Sequence, residues 1–186
     1  MTVTATESGT PGNSAPGNSA LGNSALGNSA PAPEEPRNAG APFAPPQLAE
    51  RARALAERPE EWVHRVRLDP QGRWYERVHQ DADHEIWLIS WLPGQSTGFH
   101  DHGGSAGAFA VALGTLEEHR VRTHREVGAG QVRSFGPDYV HDVRNTSDAP
   151  AVSVHVYAPP LSTMRRYDLD AGGDLVRLAA ESADDW

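Results

Sequence analysis

What most constrains the fold of this chain is a succession of short apolar-rich runs broken by glycine and proline. GRWYERVHQ alternates in polarity, HEIWLISWLPG is a β-rich run closed by Pro-Gly, and AFAVALGTLEEHRVR carries a glycine between two short runs. QVRSFGPDYVHDVRN and APAVSVHVYAPP complete the set. Period-two alternation of β-branched and aromatic residues suits a pleated surface with one buried face. Strands of this length and spacing predict an all-β domain, a small barrel or sandwich. One short helix is expected ahead of them, over 46–58. There Leu48, Ala52 and Leu55 fall at helical spacing and Pro59 follows the stop.

The ends read differently. GNSAP, GNSAL, GNSAL and GNSAP repeat every five residues from Gly12 to Pro31. Glycine, asparagine and serine bury too little apolar surface to offset the entropy of ordering. Residues 1–45 are therefore expected to form a disordered tail and proline-rich linker. The folded domain is placed at 46–178, and the acidic segment 179–186 is expected to be a loose tail.

Composition narrows function by exclusion. The 186 residues suffice for one domain plus ends. A net charge of -9 argues against nucleic acid or anionic membrane as partner. No stretch approaches the ~20 apolar residues of a membrane span. MTVTATESGT lacks the basic start and apolar run of a secretory signal. With no cysteine, the chain has no disulfide, no thiolate metal ligand and no cysteine nucleophile. These features fit a cytoplasmic protein, and a monomer is compatible with them.

Chemistry enters with His100 and His102 in FHDHGGS and His141 in GPDYVHDVRN. Three neutral imidazoles converging on one point make a metal site, and three ligands leave positions open for chemistry. The spacing approaches the two-motif signature of the cupin superfamily, G-x5-H-x-H-x4-E-x6-G and H-x3-N, with Gly94, His100, His102, Gly114, His141 and Asn145 in place. Gly107 stands where that motif has a glutamate ligand. An all-histidine set keeps the full charge of a divalent metal and so favours an anionic ligand such as a thiolate. Imidazole suits zinc, copper, nickel and iron alike. His64, His79, His84, His119 and His124 are read as packing or surface residues.

Two strands carry further candidates. In AVSVHVY, alternation puts Val152, Val154 and Val156 on one face and Ser153, His155 and Tyr157 on the other. Hydroxyl, imidazole and phenol in register can form a hydrogen-bonded relay; a solvated edge face is the plainer alternative. In RWYERVH, Tyr75, Arg77 and His79 share a face. Arg77 reads either as a surface residue or as the bidentate holder of a substrate carboxylate.

Taken in order, WYERV, GFHDHGGSAGAF, FGPDYVHDVRN and SVHVYAPPL resemble the cysteine dioxygenase family of thiol dioxygenases, particularly its bacterial members, from about Trp62 to Asp168. The resemblance implies a small cupin β-barrel, jelly-roll-like, with ferrous iron, Fe(2+), on His100, His102 and His141. It implies an outer relay of Ser153, His155 and Tyr157, and a substrate carboxylate bound by Arg77 after Tyr75. The implied reaction adds both oxygens of O2 to the sulfur of cysteine. Mammalian members have a cysteine where Gly107 stands, joined to the tyrosine; here Tyr157 is unmodified. Three alternatives remain open. A 3-mercaptopropionate dioxygenase often has glutamine where Arg77 stands. A non-catalytic metal-binding cupin consumes no O2. A zinc or nickel isomerase would normally keep the glutamate that Gly107 replaces.

Overall fold

The computed structural model describes residues 43–182. The repeats and most of the linker, 1–42, and the last four residues lie outside the described residues, so the expectation of a disordered tail falls there.

Helix α1 (Pro45–Ala56) opens with a proline at its first position, where a missing N–H costs nothing. Gln47 Oε1 accepts the Ala44 N–H at 2.8 Å. Leu48 and Ala52 are fully buried, as the helical spacing predicts. They pack on Ala108 and Ala110 of β4 (Ala106–Leu113) and Val154 and Val156 of β9 (Ala151–Ala158). The alanines of β4 let the helix approach closely, and burying Leu48 contributes about 2 kcal/mol. The valine face of AVSVHVY thus meets a helix. A second short helix, α2 (Pro59–Trp62), buries Trp62 beside it.

The strands form antiparallel sheets, as the alternation predicts. The largest has the order β1-β2-β9-β4-β7, with β1 at Trp74–Gln80, β2 at Glu85–Trp91 and β7 at Val132–Phe135. A three-stranded sheet runs β6-β5-β8, with β5 at Thr115–Arg120, β6 at Thr123–Gly128 and β8 at Asp142–Arg144. Another runs β11-β10-β3, with β3 at Phe99–His100, β10 at Thr163–Leu169 and β11 at Leu175–Ser182. An antiparallel bridge between His100 and His141 joins the two small sheets. Trp91, Phe109, Leu116, Val127, Phe135 and Val143 form the core on the other face of the large sheet from α1. This is the expected all-β barrel with one covering helix.

The domain ends beyond the expected boundary at 178, because β11 continues to Ser182. Arg165 pairs in register with Ala180, and Arg166 holds Glu181 through Nε and Nη2 at 3.0 and 2.8 Å. Charged residues interleave β10, and β11 exposes Val176 and Leu178, so neither shows a clean apolar alternation. At the other end, the helix starts one residue inside the expected linker.

Candidate metal centre

Backbone pairing sets two of the three histidines side by side. His100 N–H donates to His141 O at 2.9 Å, and His141 N–H donates back to His100 O at 3.1 Å. His102 arrives from the turn after β3. Gly103 in that turn has φ +61°, and a Cβ there would lie 2.4 Å from the Thr163 carbonyl oxygen. Only glycine fits both demands. Asp101, between the two ligands, locks the turn to β10: its carboxylate accepts from Gly103 N–H at 3.0 Å, Arg165 Nη1 at 3.0 Å and Tyr167 Oη at 2.8 Å.

The three rings converge, with centroids 4.8 to 5.1 Å apart. One nitrogen from each lies within 4.8 Å of the others. His100 Nδ1 is 2.9 Å from the Gly98 carbonyl oxygen and His141 Nδ1 is 3.0 Å from Glu118 Oε1, leaving each Nε2 as the remaining nitrogen. His102 is fully buried, and among the described residues neither of its ring nitrogens makes a well-formed hydrogen bond, the Tyr139 backbone offering a weak polar contact. An orphaned imidazole is costly in the interior unless something else takes its lone pair. A cation shared with His100 and His141 does so. Burial, followed by the neighbouring imidazoles, holds His100 and His102 well below the ordinary histidine range. Both are therefore neutral, the form a metal needs. The residues fit a bound metal.

Gly107 explains the missing carboxylate ligand. A Cβ at this position would lie 2.5 and 2.6 Å from the Phe135 ring and 2.9 Å from Tyr157 Cδ1. The space is occupied by two rings that stack on His102, with centroids at 4.7 and 5.2 Å. A carboxylate does stand behind the site, on Glu118, which the sequence reading missed. It is 1% exposed, meets His141 Nδ1, and accepts from Arg133 Nε at 2.9 Å. Burial alone would raise its pKa; the bonds from His141 and Arg133 override this and hold it at about 2. A charged partner on the far nitrogen fixes a ligand's tautomer and orientation. The signal was present in LEEHR, since Glu118 shares the inward face of buried Leu116.

Ser153, His155 and Tyr157 are all buried and linked in sequence. Ser153 Oγ lies 2.8 Å from His155 Nε2, and His155 Nδ1 lies 3.2 Å from Tyr157 Oη. Trp91 Nε1–H donates to Ser153 Oγ at 2.9 Å. Trp91 can only donate, so it takes one of the two lone pairs of Ser153 Oγ, and the His155 tautomer sets the direction of the contact between serine and histidine. Burial, then the nearby His141 and Arg73, hold His155 at about 3 and hence neutral. Its one ring proton serves one of its two neighbours, Ser153 Oγ or Tyr157 Oη. Tyr157 carries its own O–H and is among the residues lining the cavity. Burial, then Glu85, push Tyr157 above the ordinary phenol range, so it keeps that proton.

A cavity of about 80 Å³ opens beside the histidines, lined in part by His100, His141, His155, Tyr157 and Tyr75. At roughly 10–15 Å³ per water it accommodates a ligand the size of a small amino acid. Ile89, Val143, Leu161 and Met164 supply its apolar wall. Tyr75 is among the lining residues. Arg77 lies outside the lining, with Nη1 3.5 Å from Glu85 Oε2 and its guanidinium over the Trp87 ring. The cause is Glu85, 1% exposed, whose buried carboxylate draws the nearest cation. Two arginines without an assigned role, Arg73 and Arg166, line the cavity. Among the histidines read as surface or packing, His79 and His84 both bond the Asp81 carboxylate in the β1–β2 turn, at 3.1 and 3.0 Å.

Several solved structures superpose on part of this chain. A protein of Thermus thermophilus superposes with a TM-score of 0.50 and 26% identity, over 53% of this chain and 93% of that one. A conserved protein with a double-stranded β-helix domain from Klebsiella pneumoniae gives 0.49 and 20%, over 63% and 93%. An RmlC-like cupin from Desulfovibrio desulfuricans gives 0.49 and 24%, over 53% and 93%. The family described as cysteine dioxygenase type I matches residues 47–170, which span the helix, the metal centre and the relay. By that match the chain belongs to the cysteine dioxygenase type I family.

Proposed function

We propose that this protein is a non-haem ferrous thiol dioxygenase that converts L-cysteine and O2 to cysteine sulfinic acid. Written as a balance, R–SH + O2 gives R–SO2H, with sulfur oxidised and both oxygen atoms retained. The observation that carries the reading is His102, buried between two further imidazoles with no well-formed hydrogen bond to its ring nitrogens among the described residues, beside the contacts that run from Ser153 through His155 to the Tyr157 hydroxyl. Ferrous iron, when bound by His100, His102 and His141, supplies the affinity for thiolate and O2 and the redox chemistry. The ligand set is neutral, so an anionic sulfur is the favoured partner.

The chain's own residues do the rest. Tyr157 offers its proton to an oxygen in the cavity, and His155 and Ser153 hold it there. The apolar wall excludes water from the reacting sulfur. Tyr75 contacts the substrate at the mouth. A small thiol and O2 are the partners; no helix of the described residues is long and apolar enough to cross a membrane. A second reading, 3-mercaptopropionate as substrate, gains from one observation: Arg77, whose presence favoured cysteine, lies outside the cavity lining.

The test is O2 uptake by protein loaded anaerobically with ferrous iron, offered L-cysteine, 3-mercaptopropionate and cysteamine. The proposal expects uptake fastest with L-cysteine and none from His141→Ala. Faster turnover of 3-mercaptopropionate selects the second reading. No uptake with any thiol overturns both.

A further inference from the structure

The turn between β1 and β2 gathers two histidines and a carboxylate that the metal cavity does not use, since none of His79, Asp81 and His84 lines it. One ring nitrogen from each histidine and one oxygen of Asp81 lie within 4.8 Å of one another. His79 Nε2 is 3.1 Å from Asp81 Oδ2, and His84 Nδ1 is 3.0 Å from Asp81 Oδ1. The two imidazoles stand 4.7 Å apart between ring centroids.

The backbone builds this convergence. The β1–β2 ladder shifts register between Arg77 and His79. A bulge of this kind re-aims the side chains beside it, and His79 meets the turn. Asp81 N–H donates to the His84 carbonyl oxygen at 3.0 Å and closes the turn. Asp81 Oδ1 accepts the N–H groups of Asp83 and His84 at 2.9 and 2.8 Å. The buried His84 ring packs edge-on against Phe43, with centroids 5.3 Å apart. Carboxylate and one imidazole are thus held before any ligand arrives, which lowers the entropy lost on binding.

What these bonds leave over suits a cation. Two backbone N–H groups occupy the lone pairs of Oδ1, so the contact from His84 Nδ1 is a surplus one, while Oδ2 keeps a lone pair beyond its contact with His79. The N–H groups of His84 and then Asp83 hold the Asp81 carboxyl well below the usual carboxylate range, so it is anionic wherever the imidazoles are neutral. Two imidazoles and one carboxylate match a borderline divalent ion such as zinc, with a fourth tetrahedral position left to water. His79 and Asp81 are both about half exposed, which gives the ion a way in.

We propose that His79, Asp81 and His84 form a second metal site, for a divalent cation of the zinc class, that clamps the β1–β2 turn. It shares no residue with the three-histidine centre and does not rest on the dioxygenase reading.

The test dialyses the metal-free full chain against micromolar zinc chloride. Bound zinc per chain and the zinc-induced rise in melting temperature are measured for wild type, His79→Gln, Asp81→Asn and His124→Gln. Asparagine keeps an acceptor for the two backbone N–H groups of the turn. His79 is exposed, so without metal His79→Gln melts within about 2 °C of wild type. His124, exposed on β6 and stacked on His119, controls for zinc held by any surface histidine pair. The proposal expects His79→Gln and Asp81→Asn each to hold one zinc fewer per chain than wild type and to lose part of the thermal shift, with His124→Gln unchanged. In a His102→Ala background, which breaks the other centre, adding His79→Gln again removes one zinc. Equal zinc in wild type and His79→Gln overturns the proposal, as does a loss in His124→Gln as large as in His79→Gln. Should Asp81→Asn or His102→Ala not fold, the difference between wild type and His79→Gln decides.

Discussion

Glu118→Gln separates a carboxylate that orients a metal ligand from one that is only buried. Glu118 Oε1 faces His141 Nδ1 at 3.0 Å and Oε2 faces Arg133 Nε at 2.9 Å. Glutamine keeps the shape but offers one acceptor and one donor. If its oxygen serves His141, its NH2 group faces the Arg133 donor. Charge-assisted bonds of this kind contribute about 1.5–3 kcal/mol each against about 1 for neutral ones. Arg133 is 29% exposed, so its share is discounted for solvent screening, and the net loss is about 2–3 kcal/mol. For a domain of this size that lowers Tm by about 4–12 °C. Losing the charged partner of a ligating imidazole weakens metal binding about 10- to 100-fold. Thermal melts of the metal-free protein and chelator-competition titrations measure the two effects separately. Glu126→Gln, exposed on the paired strand β6, is the control, with an expected change within ~0.5 kcal/mol. Glu118→Gln melting with wild type and binding metal within about twofold of it would refute the orienting role.

Two other perturbations probe the site's packing and protonation. Gly107→Ala places a methyl against Phe135 and Tyr157 at 2.5 to 2.9 Å, and overpacking of this kind costs about 1–3 kcal/mol, visible as a lower Tm; an unchanged melt contradicts the close approach. His155 titrates at about 3 in the fold against 6.5 free, so the unfolded chain binds more protons between those values. Its contribution to stability is therefore present above pH 6.5 and lost as pH falls from there to 3, at about 1.4 kcal/mol per pH unit. In denaturant titrations of the metal-free protein, His155→Gln should flatten that stretch of the pH dependence, and an identical slope contradicts a neutral buried imidazole.

Much of this site is legible in the sequence because β structure converts spacing into position. His100 and His102 fall on either side of a locked Asp101, and period two puts Ser153, His155 and Tyr157 on one face. The valines opposite announce the layer that α1 fills. What alternation does not encode is which side chain wins a partner. Arg73 stands just before β1 and Arg77 within it, and only the structure shows that the buried Glu85 holds Arg77 while Arg73 lines the cavity. Glu118 hides for the same reason, since a charged residue in LEEHR reads as solvated until Arg133 and His141 are seen to satisfy it. Strand β11 escapes because its exposed apolar residues and acidic end give no inward pattern, while its place is held by cross-strand pairing with β10.

The central claim is that a three-histidine centre here puts both atoms of one O2 onto a thiol sulfur. Single-turnover oxidation under 18O2, with ferrous protein and L-cysteine or 3-mercaptopropionate, followed by mass spectrometry of the product, tests it directly. The account predicts a sulfinic acid carrying two 18O atoms, formed in amounts matching the O2 consumed, and none from His102→Ala. A disulfide, or a sulfinic acid with one oxygen from water, would contradict it.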